Sequence, residues 1–438
     1  MALCCSCLPR KGTGVKLCMY VCLLLNIITD VSNLPSRLGQ AWRVYSLIDP
    51  DDCLTVGNTC LDKHYGYKFG DTWVGDGLIT APGVIWKPHR KIVSRALSQP
   101  LLDKFLEDFN ASSRNIVEGF AEHVGEIDFD HTKVLRPSSL DTICSTAMGF
   151  HDKVHSTEKE LYMAAVRKLF RLAMIRAMRF WLHNDYLYSR SELKKNFDEQ
   201  TNFVKDLTNR VYTRRLGNKS FLEQLVELSV EGALNDNEVY DEVSTMTVAG
   251  YETAVNGMVS TLTMLGSHIE VQDKAYAEIK EIFGDSNRDV DKSDLTKLKY
   301  IEAVIKESMR LHPPVPIVAR SIDKDVKLKK YVLPAGSNCF FFVYGLNRHP
   351  MWGKDANEFK PDRWLDPATL PENPVAYATF GVGRRNCIGG NYAMMYMKTQ
   401  LAHIIRRYRI TSDHRRIIWK LLITASSHSG HEILLEKR

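Results

Sequence analysis

Cys387 stands in the segment Phe380-Gly381-Val382-Gly383-Arg384-Arg385-Asn386-Cys387-Ile388-Gly389-Gly390, just before a long apolar, Met-rich helical pattern. A lone cysteine is ordinarily a small buried hydrophobe. These surroundings suit a thiolate instead. The N–H groups of a Gly-rich loop at a helix N-terminus stabilise negative charge, and Gly383 and Gly389 remove Cβ atoms that would block a flat macrocycle. Arg385, two residues before the cysteine, can meet a carboxylate. The chemistry implied is a thiolate holding iron.

Three further constellations have types and spacings fit for chemistry, each weak alone. Trp86 and Arg90 lie four apart and share a helix face; by itself such a pair is a surface arginine stacked on an indole. Ala249-Gly250-Tyr251-Glu252-Thr253-Ala254 sits in the middle of a helical pattern that Asp236 and Asn237 cap and that runs to about Gly266. A mid-helix glycine costs about 1 kcal/mol against alanine, and two small residues leave room beside the backbone with an acid and a hydroxyl next to it. Glu307 and Arg310 are three apart on one helix face, where an exposed pair contributes only ~0.2–0.5 kcal/mol.

The elements that must position these groups are mostly helices. Helical patterns cover 101–124, 138–150, Leu161–Leu182, Tyr300–Leu311 before Pro313-Pro314, and Ile388–Arg407, in which Met394, Met395 and Met397 read as core packing. The Leu161–Leu182 pattern is basic and amphipathic, with Arg167, Lys168, Arg171, Arg176 and Arg179 beside Leu169, Phe170 and Ile175. Strand-like runs occupy Val315–Tyr344, with a turn at Leu333-Pro334-Ala335-Gly336, and Ile417–Leu435 reads as a hairpin. The fold class expected is mainly α with a smaller β region.

The 438 residues contain no Gly/Ser tract, Pro-rich linker or internal repeat, and 44% are hydrophobic, enough for one large core or two fused lobes. We therefore expect an N-terminal segment, 1–30, and a single domain, 31–438. A net charge of +6 is too mild to argue for nucleic acid. The 10 cysteines lack paired spacing, which suits a reducing compartment, and Cys4-Cys5-Ser6-Cys7 lacks the second ligand pair of a zinc site. Residues 1–29 hold no acidic side chain, carry Arg10, Lys11 and Lys16, and run apolar from Leu17 to Ile28. Those twelve residues span only ~18 Å of helix against a hydrocarbon core of ~30 Å, so the segment reads as a shortened signal anchor.

Phe380, Gly383, Arg385, Cys387 and Gly389 resemble the haem-binding signature of the cytochrome P-450 superfamily. The other constellations follow in the family's order. The resemblance, which is closest to the family 4 clan, implies a large helical lobe with a long central helix, a small sheet lobe, and a non-covalent haem b whose iron is held by Cys387. A thiolate ligand pushes electron density onto iron and favours O–O cleavage. By the same resemblance, Trp86, Arg90, Arg320 and Arg385 bind the propionates. Ala249 and Gly250 form the oxygen groove, with Glu252 and Thr253 relaying protons. Glu307, Arg310 and Arg363 make a buried triad under the cysteine loop. Many family 4 hydroxylases carry Glu, which can esterify the haem, where this chain has Ala249, so covalent attachment is not expected.

The implied activity is insertion of one oxygen atom of O2 into a lipophilic small molecule, a fatty acid, hormone or foreign compound, with electrons from an NADPH-dependent flavoprotein reductase. Lys87, Lys91, Lys398 and Arg406 are expected on the face that docks the reductase. The implied location is the cytosolic face of the endoplasmic reticulum membrane, with the Leu161–Leu182 helix leaning on the bilayer. The alternatives are a haem-thiolate isomerase or dehydratase, which needs no reductase, and a truncated, catalytically impaired haem-binding protein. The latter follows from a departure: only residues 29–48 stand where microsomal members have a proline-rich hinge, a first helix and two strands. That departure puts the hinge and the edge of the small sheet in question.

Overall fold

The structure is a computed structural model that describes residues 44–149, 156–214, 220–421 and 424–438. The anchor-like segment 1–30 and the Cys4–Cys7 cluster lie outside them.

Helices in chain order are α1 (Pro50–Thr59), α2 (Gly83–Ala96), α3 (Gln99–Lys104), α4 (Leu106–Ala121), α5 (Thr132–Met148), α6 (Ser156–Met178), α7 (Glu192–Arg214), α8 (Phe221–Val230), α9 (Asp236–Ser267), α10 (Ile269–Phe283), α11 (Lys292–Lys297), α12 (Lys299–Leu311) and α13 (Gly390–Arg407). The 101–124 pattern divides at Phe105 into α3 and α4, and the Leu161–Leu182 pattern becomes α6 followed by a 3-10 turn, Phe180–His183. The strands are β1 (Val44–Leu47), β2 (Val318–Ser321), β3 (Val326–Lys327), β4 (Val332–Leu333), β5 (Asn338–Phe341), β6 (Tyr408–Thr411), β7 (Ile418–Leu421), β8 (Ala425–Ser429) and β9 (Leu434–Lys437).

The centre is α9, 32 residues long, or ~48 Å at 1.5 Å per residue. Its cap is Asn235, not Asp236 or Asn237: the Asn235 side chain accepts from Glu238 N at 3.0 Å, and Glu238 accepts from Asn235 N at 2.8 Å. From Val239 onward α9 is buried on nearly every side, packed against α5, α12 and α13. Its polar residues survive there by bonding backward. Thr247, Thr261 and Thr263 each donate to the carbonyl four residues earlier, which satisfies the hydroxyl without water. Met397 is buried in this core and Met394 and Met395 pack against it, as their periodicity predicts.

A second, smaller core joins α1 to the sheet β1-β5-β2 through Leu47, Cys53, Val56, Cys339 and Phe341. The edge of the small sheet is present: β1 pairs parallel with β5, Tyr45 opposite Cys339, and β2 pairs antiparallel on the other side, Arg320 opposite Cys339. Burial pushes the Cys60 thiol up to about 11 and those of Cys53 and Cys339 higher still, so these cysteines act as core hydrophobes. The C-terminal segment is more than one hairpin. β7 pairs with β8, while β9 pairs with β6.

Candidate functional site

The cysteine loop is bent by two glycines at positive φ, Gly381 (84°) and Gly383 (74°). A Cβ on Gly383 would also lie 2.4 Å from the Gly57 carbonyl carbon of α1, so glycine is required there twice over. A bond from Cys387 N to Phe380 O at 2.6 Å closes the loop, and the Phe380 ring lies at the edge of Tyr377. Gly389 is less constrained by its protein neighbours: its Cβ would meet Cys387 Sγ at 3.9 Å, an ordinary contact. Cys387 is a free, exposed thiol. Desolvation by the surrounding protein raises its pKa, while the Gly389 N–H and the charge of Arg90 act to lower it.

Beside the loop, cations gather without an anion. Arg385, 7% exposed, donates to Leu61 O (2.7 Å) and Leu78 O (3.0 Å), lies 5.0 Å over the Trp86 ring, and leaves its Nε without a partner. Arg320, 1% exposed, donates to Ala319 O and also leaves its Nε unpartnered. Bonds from Ser321 to Asp62 O and Lys63 O bring Lys63 alongside β2. Its ammonium lies 4.5 Å over the Tyr67 ring.

Among the described residues no carboxylate bonds to Lys63, Arg320 or Arg385. Burial and the charge of Arg320 push Arg385 down to about 9, and burial with Arg320 and Arg385 pushes Lys63 well below the usual lysine range. Unpaired buried cations are costly, so this cluster is built to receive acidic groups. A haem, with two propionates and an iron for the sulfur, fits the donor set. Lys63 had no legible signal in the sequence beyond its charge.

Arg90 is also tied to the cysteine loop. Its two terminal nitrogens bond Asn386 O (2.7 Å) and Asn386 Oδ1 (3.0 Å), next to Cys387, while Trp86 lies buried under Arg385. The helix-face pair thus serves the loop as well as any propionate.

On α9, Thr253 donates to Ala249 O at 2.6 Å, and Glu252 is 6% exposed with Oε2 unpartnered. Gly250 has a different use from the one its spacing suggests. A Cβ there would lie 2.5 Å from Ile143 Cδ1, so the missing side chain admits α5 rather than leaving a gap.

Glu307, Arg310 and Arg363 do meet, all buried. Glu307 accepts from Arg310 Nε (2.7 Å), Arg310 Nη2 (2.8 Å), Arg363 Nε (3.0 Å), Lys360 N (3.0 Å) and Trp364 Nε1 (3.0 Å). Arg310 continues to Asn347 O, and Asn347 accepts from Ala378 N, which leads to the cysteine loop. The expected docking face is only half present. Lys87 and Lys91 are exposed, but Lys398 is buried against Leu295 O and Glu302, and Arg406 is held by Ala402 O and Arg288 O.

The family model described as Cytochrome P450 matches residues 58–430. The chain is 31% identical over 379 residues to mouse (Mus musculus) cytochrome P450 4V2, covering 81% of this chain and 72% of that protein. It is 31% identical over 408 residues to Drosophila melanogaster cytochrome P450 4d8, covering 86% and 88%. To Drosophila melanogaster cytochrome P450 4c3 it is 29% identical over 409 residues, covering 86% and 76%. With a match spanning most of its length and relatives of the family 4 type, the chain belongs to the cytochrome P450 family, as a monooxygenase whose cofactor is a haem held by a cysteine thiolate.

Proposed function

We propose that Cys387 is the thiolate ligand and that the protein inserts one oxygen atom of O2 into a lipophilic small molecule, with electrons from NADPH delivered by a flavoprotein reductase. The observation that carries this is the exposed Cys387 thiol in its glycine loop, with buried Arg385 and Arg320 whose Nε atoms have no partner. When bound, the haem supplies dioxygen activation, and thiolate donation favours O–O cleavage. Arg320, Arg385 and Lys63 would hold the propionates, with Trp86 and Arg90 fixing Arg385 and the loop. Phe380 borders the sulfur side.

On the other side, Glu252 and Thr253 would handle protons. Thr253 spends its proton on Ala249 O, so its oxygen is free to accept from a water, and the near-buried Glu252 with an idle oxygen would deliver protons to that point. Glu307, Arg310 and Arg363 brace the loop without touching substrate.

A membrane-side location on the endoplasmic reticulum, cytosolic face, has its own support. Met178, Phe180, Trp181, Tyr186 and Leu187 are exposed together after α6, beside exposed Arg171, Arg179 and Arg190. Apolar side chains rimmed by arginines suit an anionic bilayer surface. Among the described residues no helix is long and apolar enough to cross a membrane.

The test is turnover of the purified chain with a microsomal reductase, NADPH, 18O2 and a panel of fatty acids. One 18O per product molecule, dependent on NADPH, is the expected result. Turnover of a hydroperoxide that needs neither NADPH nor reductase would replace the reading with that of an isomerase.

A further inference from the structure

Between the small core and α9 runs the loop 75–81, and one carboxylate grips it. Glu242 of α9 is fully buried and accepts from Leu78 N at 3.1 Å and from His89 Nδ1 at 2.9 Å. His89 is itself 4% exposed on α2, one residue before Arg90. The carbonyl of the same Leu78 accepts from Arg385 at 3.0 Å. A closed circuit results: Glu242 to the Leu78 peptide, to Arg385 in the cysteine loop, back through Asn386 and Arg90 to α2, and by His89 to Glu242.

The loop is shaped for that grip. Gly75 has φ +59°, and Cβ atoms on Gly75 and Gly77 would lie 1.9 Å from Asp241 Oδ1 and 2.2 Å from Thr245 Oγ1. Neither could bear a side chain while the loop lies on α9. Asp241 adds a second bond, accepting from Asp76 N at 2.9 Å. Burying a carboxylate at Glu242 is costly unless its bonds are made, so the loop and α2 are held together or released together.

We propose that Glu242 is a positioning residue for the haem site. Through the Leu78 peptide it aligns Arg385 toward the cofactor's acid groups, and through His89 it fixes the turn of α2 that carries Arg90. The same bond to Leu78 holds loop 75–81 closed over α9, so cofactor retention and ligand entry are governed by one carboxylate. The inference rests on the haem-thiolate reading.

The test uses the haem-loaded full chain and two rates, haem transfer to apomyoglobin and association of 1-phenylimidazole followed by its difference spectrum. Glu242→Ala is expected to raise the first about tenfold, as loss of an outer partner does at other metal sites, and to raise the second as well. His89→Gln should fall between. Glu242→Gln should restore most of both, since an amide can accept from Leu78 N and donate to neutral His89. Thr263→Ala is the control, a buried α9 residue whose hydroxyl bonds only its own helix. If Glu242→Ala matches Thr263→Ala in both rates, the proposal is wrong. Should Glu242→Ala not fold, His89→Gln with wild-type rates overturns it. A wild-type chain with no thiolate-type CO band would remove the haem reading beneath it.

Discussion

Buried Arg320 and Arg385 and half-buried Lys63 form a positive cluster whose stability depends on what occupies it. In the haem-free chain the three repel one another; in the proposed haem-loaded state two propionates would offset two of the three charges. Lys63→Met should therefore act with opposite signs in the two states. Thermal unfolding of the haem-free protein is expected to shift upward, while haem transfer to apomyoglobin becomes several-fold faster. A fall in stability in both states would mean that Lys63 is held by contacts other than these charges. Cys387 and its glycines were legible because the constraint is local, a turn of a few residues that must leave a sulfur uncovered. Lys63 was not, because its meaning comes from Arg320, 257 residues later by number. Charge alone also misplaced Lys398 and Arg406, since a basic side chain says nothing of whether Glu302 or a helix end waits to take it.

Helices carry most of what periodicity can show, and α9, α12 and α13 lie close to where their patterns put them. Their ends depended on single side chains, as with Asn235 in place of Asp236, and a pattern could not reveal that Gly250 admits Ile143. The clasp between α2 and α9 spans 153 positions and left no trace in local pattern. Its electrostatics are testable. Hydrogen bonding to Glu242 raises the His89 pKa against the opposing effect of burial, and Glu238 adds to it; burial also raises Glu242, with Asp241 acting in the same direction. Both shifts mean that the folded pair holds more protons than the unfolded chain. The His89 part of the stabilisation is full below the unfolded histidine value, about 6.5, and is lost as pH rises through the folded one, while the Glu242 part begins to fall above the unfolded carboxyl value. Urea unfolding from pH 6 to 9 should show this loss for the wild-type chain and a flatter profile for His89→Gln. Equal slopes would dismiss the clasp as a source of pH dependence.

At the scale of the molecule, a helical core around α9 and a smaller core around β1-β5-β2 meet at the cysteine loop. Helical periodicity and the family resemblance predicted the mainly helical class. The survival of the sheet edge was not legible, because β1 finds its partner β5 roughly three hundred residues away. The exposed apolar group after α6 is the proposed bilayer contact. Burying a Phe or Trp contributes ~1.5–3 kcal/mol, so Phe180→Asp with Trp181→Asp should weaken binding to anionic liposomes by tenfold or more. Unchanged sedimentation with liposomes would place the membrane contact elsewhere.

The central claim is that Cys387 holds a haem through its thiolate. The most direct measurement is the reduced-plus-CO difference spectrum of the full chain and of Cys387→Ala. The account predicts the thiolate-type Soret band in the wild type and its loss in the variant, with the variant still soluble and cooperatively folded. A band retained without Cys387, or a wild-type chain that takes up no haem, would contradict it.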